Sequence, residues 1–220
     1  LLKNCYKIIF NSNWSKKRFL EGMHDKFVNS EKLLVIFQSA KKLSVNTNNK
    51  KKEITFVGKL NKSKGYDIFG NSIINLLNKF PNWIAIVIGD EPREKHIFKH
   101  KNLKILGFQK HNVVSKYFKA SDISVVCSRW NEPFGRTALE ASSCGCAVII
   151  TNRGGLPEAS PYAIKINKLN SRNLESNISK IISNTKFKKN LQKKIYNNFI
   201  LTNEVIAKKI DQYRSKLIKS

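Results

Sequence analysis

HNVVSKYFKASDISVVCSRWNEPFGRTALEASSCGCAVIIT, residues 111–151, alternates amphipathic and apolar runs around one polar loop. HNVVSKYFKASD (111–122) has the apolar spacing of a helix, and ISVVCS (123–128) reads as a buried strand. RTALEASSCG (136–145) reads as a helix stopped by Gly145, and CAVIIT (146–151) as the next strand. Apolar strands separated by helices are the mark of a parallel sheet with helices on its faces.

The same rhythm extends outward. EITFVGKL (53–60), WIAIVIGD (83–90), LKILGFQ (103–109) and AIKIN (163–167) are strand candidates, and DIFGNSIINLLNKF (67–80) is a helix with an apolar stripe. From Ser171 to Ser220 the pattern is helical, with a break predicted near Phe199–Thr202. Before residue 41 lie a strand candidate, CYKIIFNS (5–12), a short helix, NWSKKRFLEG (13–22), and a further strand, KLLVIFQS (32–39). The polar stretch KKLSVNTNNKKK (41–52) is the linker candidate, and no internal repeat is visible. The prediction is an α/β fold, a doubly wound, Rossmann-like parallel sheet. Such sheets bind ligands at the carboxyl ends of their strands, so the loops GKLNKSKG, GDEPRE, GFQKH, SRWNEPFG and TNRGGLPE are where function is expected.

Composition narrows the field. A hydrophobic content of 41% excludes a disordered polycation, yet 41 Lys and Arg against 15 Asp and Glu leave a formal charge of +26. Lys- and Asn-rich stretches such as NTNNKKK and KFKKNLQKKIYNN point to compositional drift as one source. A phosphate-rich substrate or an anionic membrane surface is the other. Cys127, Cys144 and Cys146 sit among apolar or small residues, as buried thiols do in a reducing compartment. The Cys144-Gly-Cys146 pair lacks a second ligand pair, and His96 and His100, which could share a helix face, lack an acidic partner. No metal site is expected, and both histidines are read as solvent-exposed. No apolar run reaches the ~18 residues of a membrane span, and no signal peptide is recognisable. These features predict a cytoplasmic protein. The chain opens on Leu1 in mid-pattern, which predicts that a longer protein extends before it.

The loop chemistry is specific. Pro133 and Gly135 sit in the turn that starts a helix, so the backbone N–H groups of Phe134, Gly135 and Arg136 should be unpaired within it. Such groups, with the positive end of the helix dipole, form an anion site. Glu132 lies ahead of that helix and Glu140 one to two turns inside it, a separation suited to two ends of one elongated ligand. A carboxylate accepts two hydrogen bonds at once, which fits vicinal sugar hydroxyls. The plain alternatives are that Glu132 only complements the helix dipole and that Glu140 is a solvated helix residue. Against the latter, the small apolar neighbours in ALEAS suggest packing near a sheet, where charge needs a partner. In GKLNKSKG, Lys59 and Lys64 lie between Gly58 and Gly65 and could clamp a diphosphate, although the loop is not a P-loop. Gly154-Gly155 is either a turn or a place where backbone approaches a ligand.

FVGKLNKSKGYD, IVIGDEP, LKILGFQ, ASDISVVCSRWNEPFGRTALEASSCGCAVIITNRGGLPE and FILTNEVIAKKIDQYRSKL, in this order and spacing, resemble the nucleotide-sugar-binding half of a GT-B glycosyltransferase of retaining family 4, the group 1 glycosyl transferases. EPFG…LE corresponds to the E-x7-E motif of that family. The resemblance implies that Lys59, where the family often has Arg, and Lys64 hold the donor diphosphate and stabilise the leaving group. It implies that Glu132 contacts hydroxyls of the transferred sugar and Glu140 those of the ribose. Phe134 and Gly135 would present backbone N–H groups to sugar and phosphate, Gly107–Phe108 would lie near the base, and Gly58 and Arg136 would be among the donor-binding residues. The implied reaction is hexosyl transfer with retention from a nucleotide sugar to a saccharide or lipid-linked acceptor, such as a cell-surface polysaccharide. Leaving-group charge would be stabilised by preorganised cations and backbone donors, with no metal or other cofactor.

The resemblance also implies a division of the chain. Residues 1–45 would be the tail of an acceptor-binding Rossmann-like domain and the hinge, 46–200 the nucleotide-sugar domain, and 201–220 a terminal helix packing back toward the first. QSAKKLS departs from the family's Asn-Gly-containing hinge, and most of the acceptor domain is missing, so the chain as given is expected to bind donor weakly. A non-catalytic donor-binding partner subunit is an alternative that the intact glutamate pair disfavours. A basic nucleic-acid-binding protein would gather its cations on one face with aromatics for stacking. Here they spread over loops and helices alike, so no nucleic-acid partner is expected. An epimerase of the same fold would not be expected to carry EPFG…LE. Peripheral contact with the anionic inner membrane face follows only from the charge.

Overall fold

A computed structural model of the chain describes residues 5–23 and 31–218. Residues 1–4 and 24–30 of the predicted first segment, and 219–220 of the terminal one, lie outside the described residues. The elements, in chain order, are β1 (Ile8–Phe10), α1 (Asn13–Leu20), β2 (Leu33–Val35), β3 (Lys51–Val57), α2 (Tyr66–Lys79), β4 (Ile84–Ile88), β5 (Leu103–Ile105), α3 (His111–Ala120), β6 (Ser121–Val126), α4 (Arg136–Ser143), β7 (Ala147–Thr151), α5 (Leu156–Ala159), β8 (Ile164–Ile166), α6 (Ser171–Ser183), α7 (Thr185–Asn197) and α8 (Asn203–Ile218).

The main sheet has the order β5-β4-β3-β6-β7-β8, and every pairing in it is parallel. The chain winds outward from β3 in one direction and then from β6 in the other, so the expected doubly wound sheet is present. α2 packs with α6, and α4 packs with both α3 and α7, which covers the two faces. α2 shows why a helix forms and where it docks. Tyr66, Phe69, Ile73, Leu76 and Leu77 recur at helical spacing and are all buried. Each such aliphatic side chain contributes about 1.5–3 kcal/mol of burial free energy.

β6 is buried along its whole length, although it opens on Ser121 and Asp122, which the sequence pattern had placed in the preceding helix. Asp122 is tolerated because Lys188 Nζ donates to its Oδ2 at 2.5 Å and Gln192 Nε2 to its Oδ1 at 2.8 Å. α7 is thereby tied to the start of β6. α6 and α7 are separate helices: Asn184 ends the first, and its side chain caps the second by accepting from Phe187 N at 2.8 Å. The short α5 is a further addition to the sequence reading.

β1 and β2 form a separate two-stranded parallel sheet, and contacts from this region reach the main body. Ser12 Oγ donates to the Pro133 carbonyl. The Glu158 carboxylate accepts from Asn13 N and Trp14 N, both at 2.8 Å, at the start of α1. Phe37 stacks on Phe134 with centroids 5.6 Å apart. The stretch predicted as a linker is anchored rather than free. Tyr196 donates to the Leu43 carbonyl at 2.9 Å, Thr47 is buried, and Lys51 and Lys52 already belong to β3. α8 returns toward β2, where Lys209 Nζ donates to the Val35 carbonyl at 3.2 Å.

Candidate active site

The winding reverses between β3 and β6, so a crevice opens at their carboxyl ends. Gly58, Lys64, Ser128, Glu132 and Thr137 line a cavity of about 40 Å³ there. The two loops that form it are locked together. Asn61 accepts from Lys64 N at 3.0 Å and from Ser63 Oγ at 2.9 Å, which folds GKLNKSKG into a tight turn. The Ser63 carbonyl then accepts from the N–H groups of Arg129 (2.8 Å) and Trp130 (3.0 Å) across the crevice. Gly65 sits at φ 75°, and a Cβ there would lie 2.0 Å from the Cys127 carbonyl oxygen. Only glycine lets the two backbones approach so closely.

Arg129 grips Asp67 through paired hydrogen bonds of 2.6 and 2.7 Å. Partial burial pushes the Asp67 carboxyl up, but the hydrogen bond and charge of Arg129 outweigh it, and the net effect is a lowering. Within this frame Lys64 Nζ and the Glu132 carboxylate form an ion pair. Their side chains are 30% and 15% exposed, so the pair is shielded but open to a ligand.

α4 starts beside that pair. Its N-cap, Gly135, offers no side-chain cap, and the N–H groups of Phe134, Gly135 and Arg136 find no acceptor among the described residues. The unpaired N–H groups expected at this turn from the sequence are therefore present. Phe134 contributes backbone only: its ring is buried against Phe37 and sits with Leu139, Ala159 and Phe199. Glu140 is half-buried on α4, accepting from Arg136 Nη2 at 3.0 Å with His111 Nδ1 3.8 Å away. It is a partnered carboxylate, not a freely solvated one. His111 went without a role in the sequence reading, although GFQKH had marked its loop.

The remaining expected residues are spread around the crevice. Lys59 is exposed and makes no hydrogen bond among the described residues. The ends of β3, β4 and β5 are stitched together, with Gly58 N donating to the Ile88 carbonyl and Gly89 N to that of Gly107. Phe108 beside Gly107 is 75% exposed, an aromatic face open to a ligand. The Gly154-Gly155 pair meets protein instead of ligand: Cβ atoms there would lie 2.3 Å from the Glu132 carbonyl oxygen and 2.4 Å from that of Pro133. Its smallness seats α5 against the Glu132 loop, and Gly155 N donates to the Glu132 carbonyl at 2.7 Å.

His96 and His100 depart from expectation. Neither lies in a helix, and both are half-buried, His96 against Glu94 and His100 beside Asn78. Cys127, Cys144 and Cys146 are buried as expected, and burial pushes the thiols of Cys127 and Cys146 up to about 12. Among the described residues no cluster of three His, Cys, Asp or Glu could hold a metal ion, and no helix is long and apolar enough to cross a membrane.

A doubly wound parallel sheet of this order, with the loops after β3 and β6 converging on an open helix start, is the α/β architecture of the GT-B glycosyltransferases. Residues 37–198 match the family model for glycosyl transferases group 1, and the chain belongs to that family. It is similar to the lipopolysaccharide core biosynthesis mannosyltransferase LpsB of Rhizobium meliloti (strain 1021), with 34% identity over 119 residues, which is 49% of this chain and 33% of LpsB. The crystal structure of the C-terminal domain of the group 1 family protein LpcC from Francisella tularensis superposes with a TM-score of 0.59 and 28% identity, covering 66% of this chain and 82% of that one. Anabaena Alr3699/HepE in complex with UDP-glucose shares the fold with a TM-score of 0.78 at 20% identity, over 96% of this chain and 64% of its own. The matched stretches span 32–40% of the first curated relatives' length.

Proposed function

We propose that the chain is the donor-binding part of a retaining family 4 glycosyltransferase that moves a hexose-type sugar from a nucleotide sugar to a saccharide or lipid-linked acceptor. The carrying observation is the Lys64–Glu132 pair beside the uncapped start of α4. A donor diphosphate placed over the α4 N–H groups would take Lys64 as its counter-ion, joined by Lys59, and release Glu132 to accept from the sugar hydroxyls. Glu140, with Arg136 and His111 around it, would accept from the ribose, and Phe108 would cover the base near Gly107 and Gly58.

As the bond from the sugar to the diphosphate breaks, negative charge grows on the departing phosphate oxygen. Lys64 and the helix N–H groups stand where that charge develops, so no metal ion is required. Retention follows if the acceptor attacks from the face the leaving group vacates. Residues 1–45 then belong to the acceptor-side domain and hinge, 46–200 to the donor domain, and 201–220 to the returning helix. The UDP-glucose bound by HepE and the lipopolysaccharide role named for LpsB support a nucleotide-sugar donor and a cell-surface acceptor. Such work places the protein in the cytoplasm, with its excess positive charge favouring the inner membrane face.

The test is a thermal-shift screen of the chain against UDP-, GDP-, ADP- and CMP-sugars, with Lys64→Ala and Glu140→Ala alongside. Stabilisation by one nucleotide class, lost in both variants, establishes the site and names the base. A folded chain that responds to none of them, alone or within the full-length gene product, refutes the reading.

A further inference from the structure

A second recess runs between α3 and α4, adjoining the candidate donor site at Arg136, Glu140 and His111 and walled on another side by Ser39, Ala40, Lys41 and Leu43. It encloses about 430 Å³. On α3, Asn112, Ser115, Lys116 and Lys119 follow helical spacing and all line this space. Lys41 enters from the connecting segment and Arg136 from α4. Glu140 is the one carboxylate among the described lining residues, and it already serves Arg136 at 3.0 Å and His111 at 3.8 Å.

Lys41, Lys116 and Lys119 make no ion pair within 4 Å among the described residues. Glu204 lies close enough to Lys41 for the two charges to interact, which leaves Lys116 and Lys119 without a carboxylate of their own. Scattered surface lysines repel one another little, because water separates them. Cations facing one concave space differ: low-dielectric walls focus their field, and an anion entering it satisfies several of them together. The Asn112 side chain on the same wall adds a neutral donor, whereas the Ser115 hydroxyl already donates to the His111 carbonyl at 2.9 Å.

We infer that this α3–α4 groove is a binding site for a phosphate-bearing ligand, distinct from the diphosphate clamp proposed at Lys59 and Lys64. A phosphate group has the oxygens to accept from several ammonium groups in one position. A soluble phosphate ester and a phospholipid headgroup share that chemistry. The inference stands on the groove's own cations and does not require the donor reading, although Glu140 and Arg136 border both sites.

Isothermal titration with pyrophosphate at about 150 mM salt, where long-range attraction is screened, tests it. The titrated chains carry Lys59→Ala and Lys64→Ala, which removes both lysines of the proposed diphosphate clamp. One adds Lys116→Gln and Lys119→Gln. A control instead adds Lys104→Gln and Lys165→Gln, exposed lysines on the edge strands β5 and β8. The expected result is saturable one-to-one binding by the parent and the control, weakened about tenfold or more in the groove variant. A parallel co-sedimentation with phosphatidylglycerol vesicles identifies the source: vesicle binding lost only in the groove variant, without pyrophosphate binding, assigns a lipid headgroup. Equal binding by all three chains, or no saturable binding of either probe, overturns the site. Failure of the donor reading would show separately, as absent nucleotide-sugar binding by the unmutated chain.

Discussion

The ammonium of Lys64 and the carboxylate of Glu132, 68 positions apart in sequence, meet as an ion pair where the windings of the sheet diverge. Each holds the other's charge in the space the proposed donor would occupy. Binding must therefore exchange partners, which gives the two residues separable signatures. Lys64→Ala is expected to weaken nucleoside diphosphate and nucleotide sugar alike, by about tenfold or more. Glu132→Ala is expected to spare or tighten the nucleoside diphosphate, since it frees Lys64, while weakening the nucleotide sugar. Titration of both ligands into both variants checks this, and equal losses for the two ligands in Glu132→Ala would contradict it.

Gly65→Ala should damage the fold itself. The residue sits at φ 75° with its absent Cβ 2.0 Å from the Cys127 carbonyl oxygen, so an added methyl group must push β6 away from the start of α2. The expected loss is about 2–4 kcal/mol, measured as a lower urea midpoint. Gly22→Ala, where nothing lies within 4 Å and φ is not in the left-handed region, is the contrast and should change little.

The Asp122–Lys188 pair is buried, with side chains 2% and 8% exposed, and Gln192 donates to the same carboxylate. Removing one charge strands the other. Lys188→Met is expected to cost about 3–5 kcal/mol in urea unfolding, and joint replacement with Asp122→Leu to recover much of that loss. A single variant as stable as the parent would show that the pair does not tie α7 to β6.

Acid should loosen the loop after β4. The Arg93 hydrogen bond holds the Glu91 carboxyl at about 2, against 4.5 for a free glutamate, while Asn61 also donates to it. A carboxyl lowered by folding adds stability that is complete above pH 4.5 and is lost as pH falls toward about 2. Arg93→Ala should flatten the decline of the unfolding midpoint across that window. An unchanged pH profile would place the acid sensitivity elsewhere, for instance at Asp67, whose carboxyl is also lowered.

Most of the element pattern was legible because hydrophobic periodicity is local. The apolar runs that became β3, β4, β6 and β7 and the stripe of α2 each carry their own signal over a few residues. The misses were short or polar. α5 is a four-residue helix, and Asp122 opens a buried strand only because Lys188 and Gln192 arrive from α7. Asn184, a good N-cap residue, was the available sign of the α6–α7 break, but the helical periodicity on both sides obscured it.

By itself the sequence determined the class of fold and which residues would stand in the loops after its strands, since both follow from patterns within single elements. It also marked the open N–H groups ahead of α4, because Pro133 and Gly135 define that turn locally. Tertiary structure decided which of those loops became neighbours. Parallel pairing of β3 with β6 brought Lys64 to Glu132, and burial turned the Phe134 ring toward Phe37, leaving only its backbone for a ligand. It also put the Gly154-Gly155 backbone against the Glu132 loop and opened the lysine-lined groove between α3 and α4. These are relations between residues distant in sequence, and only packing brings them together.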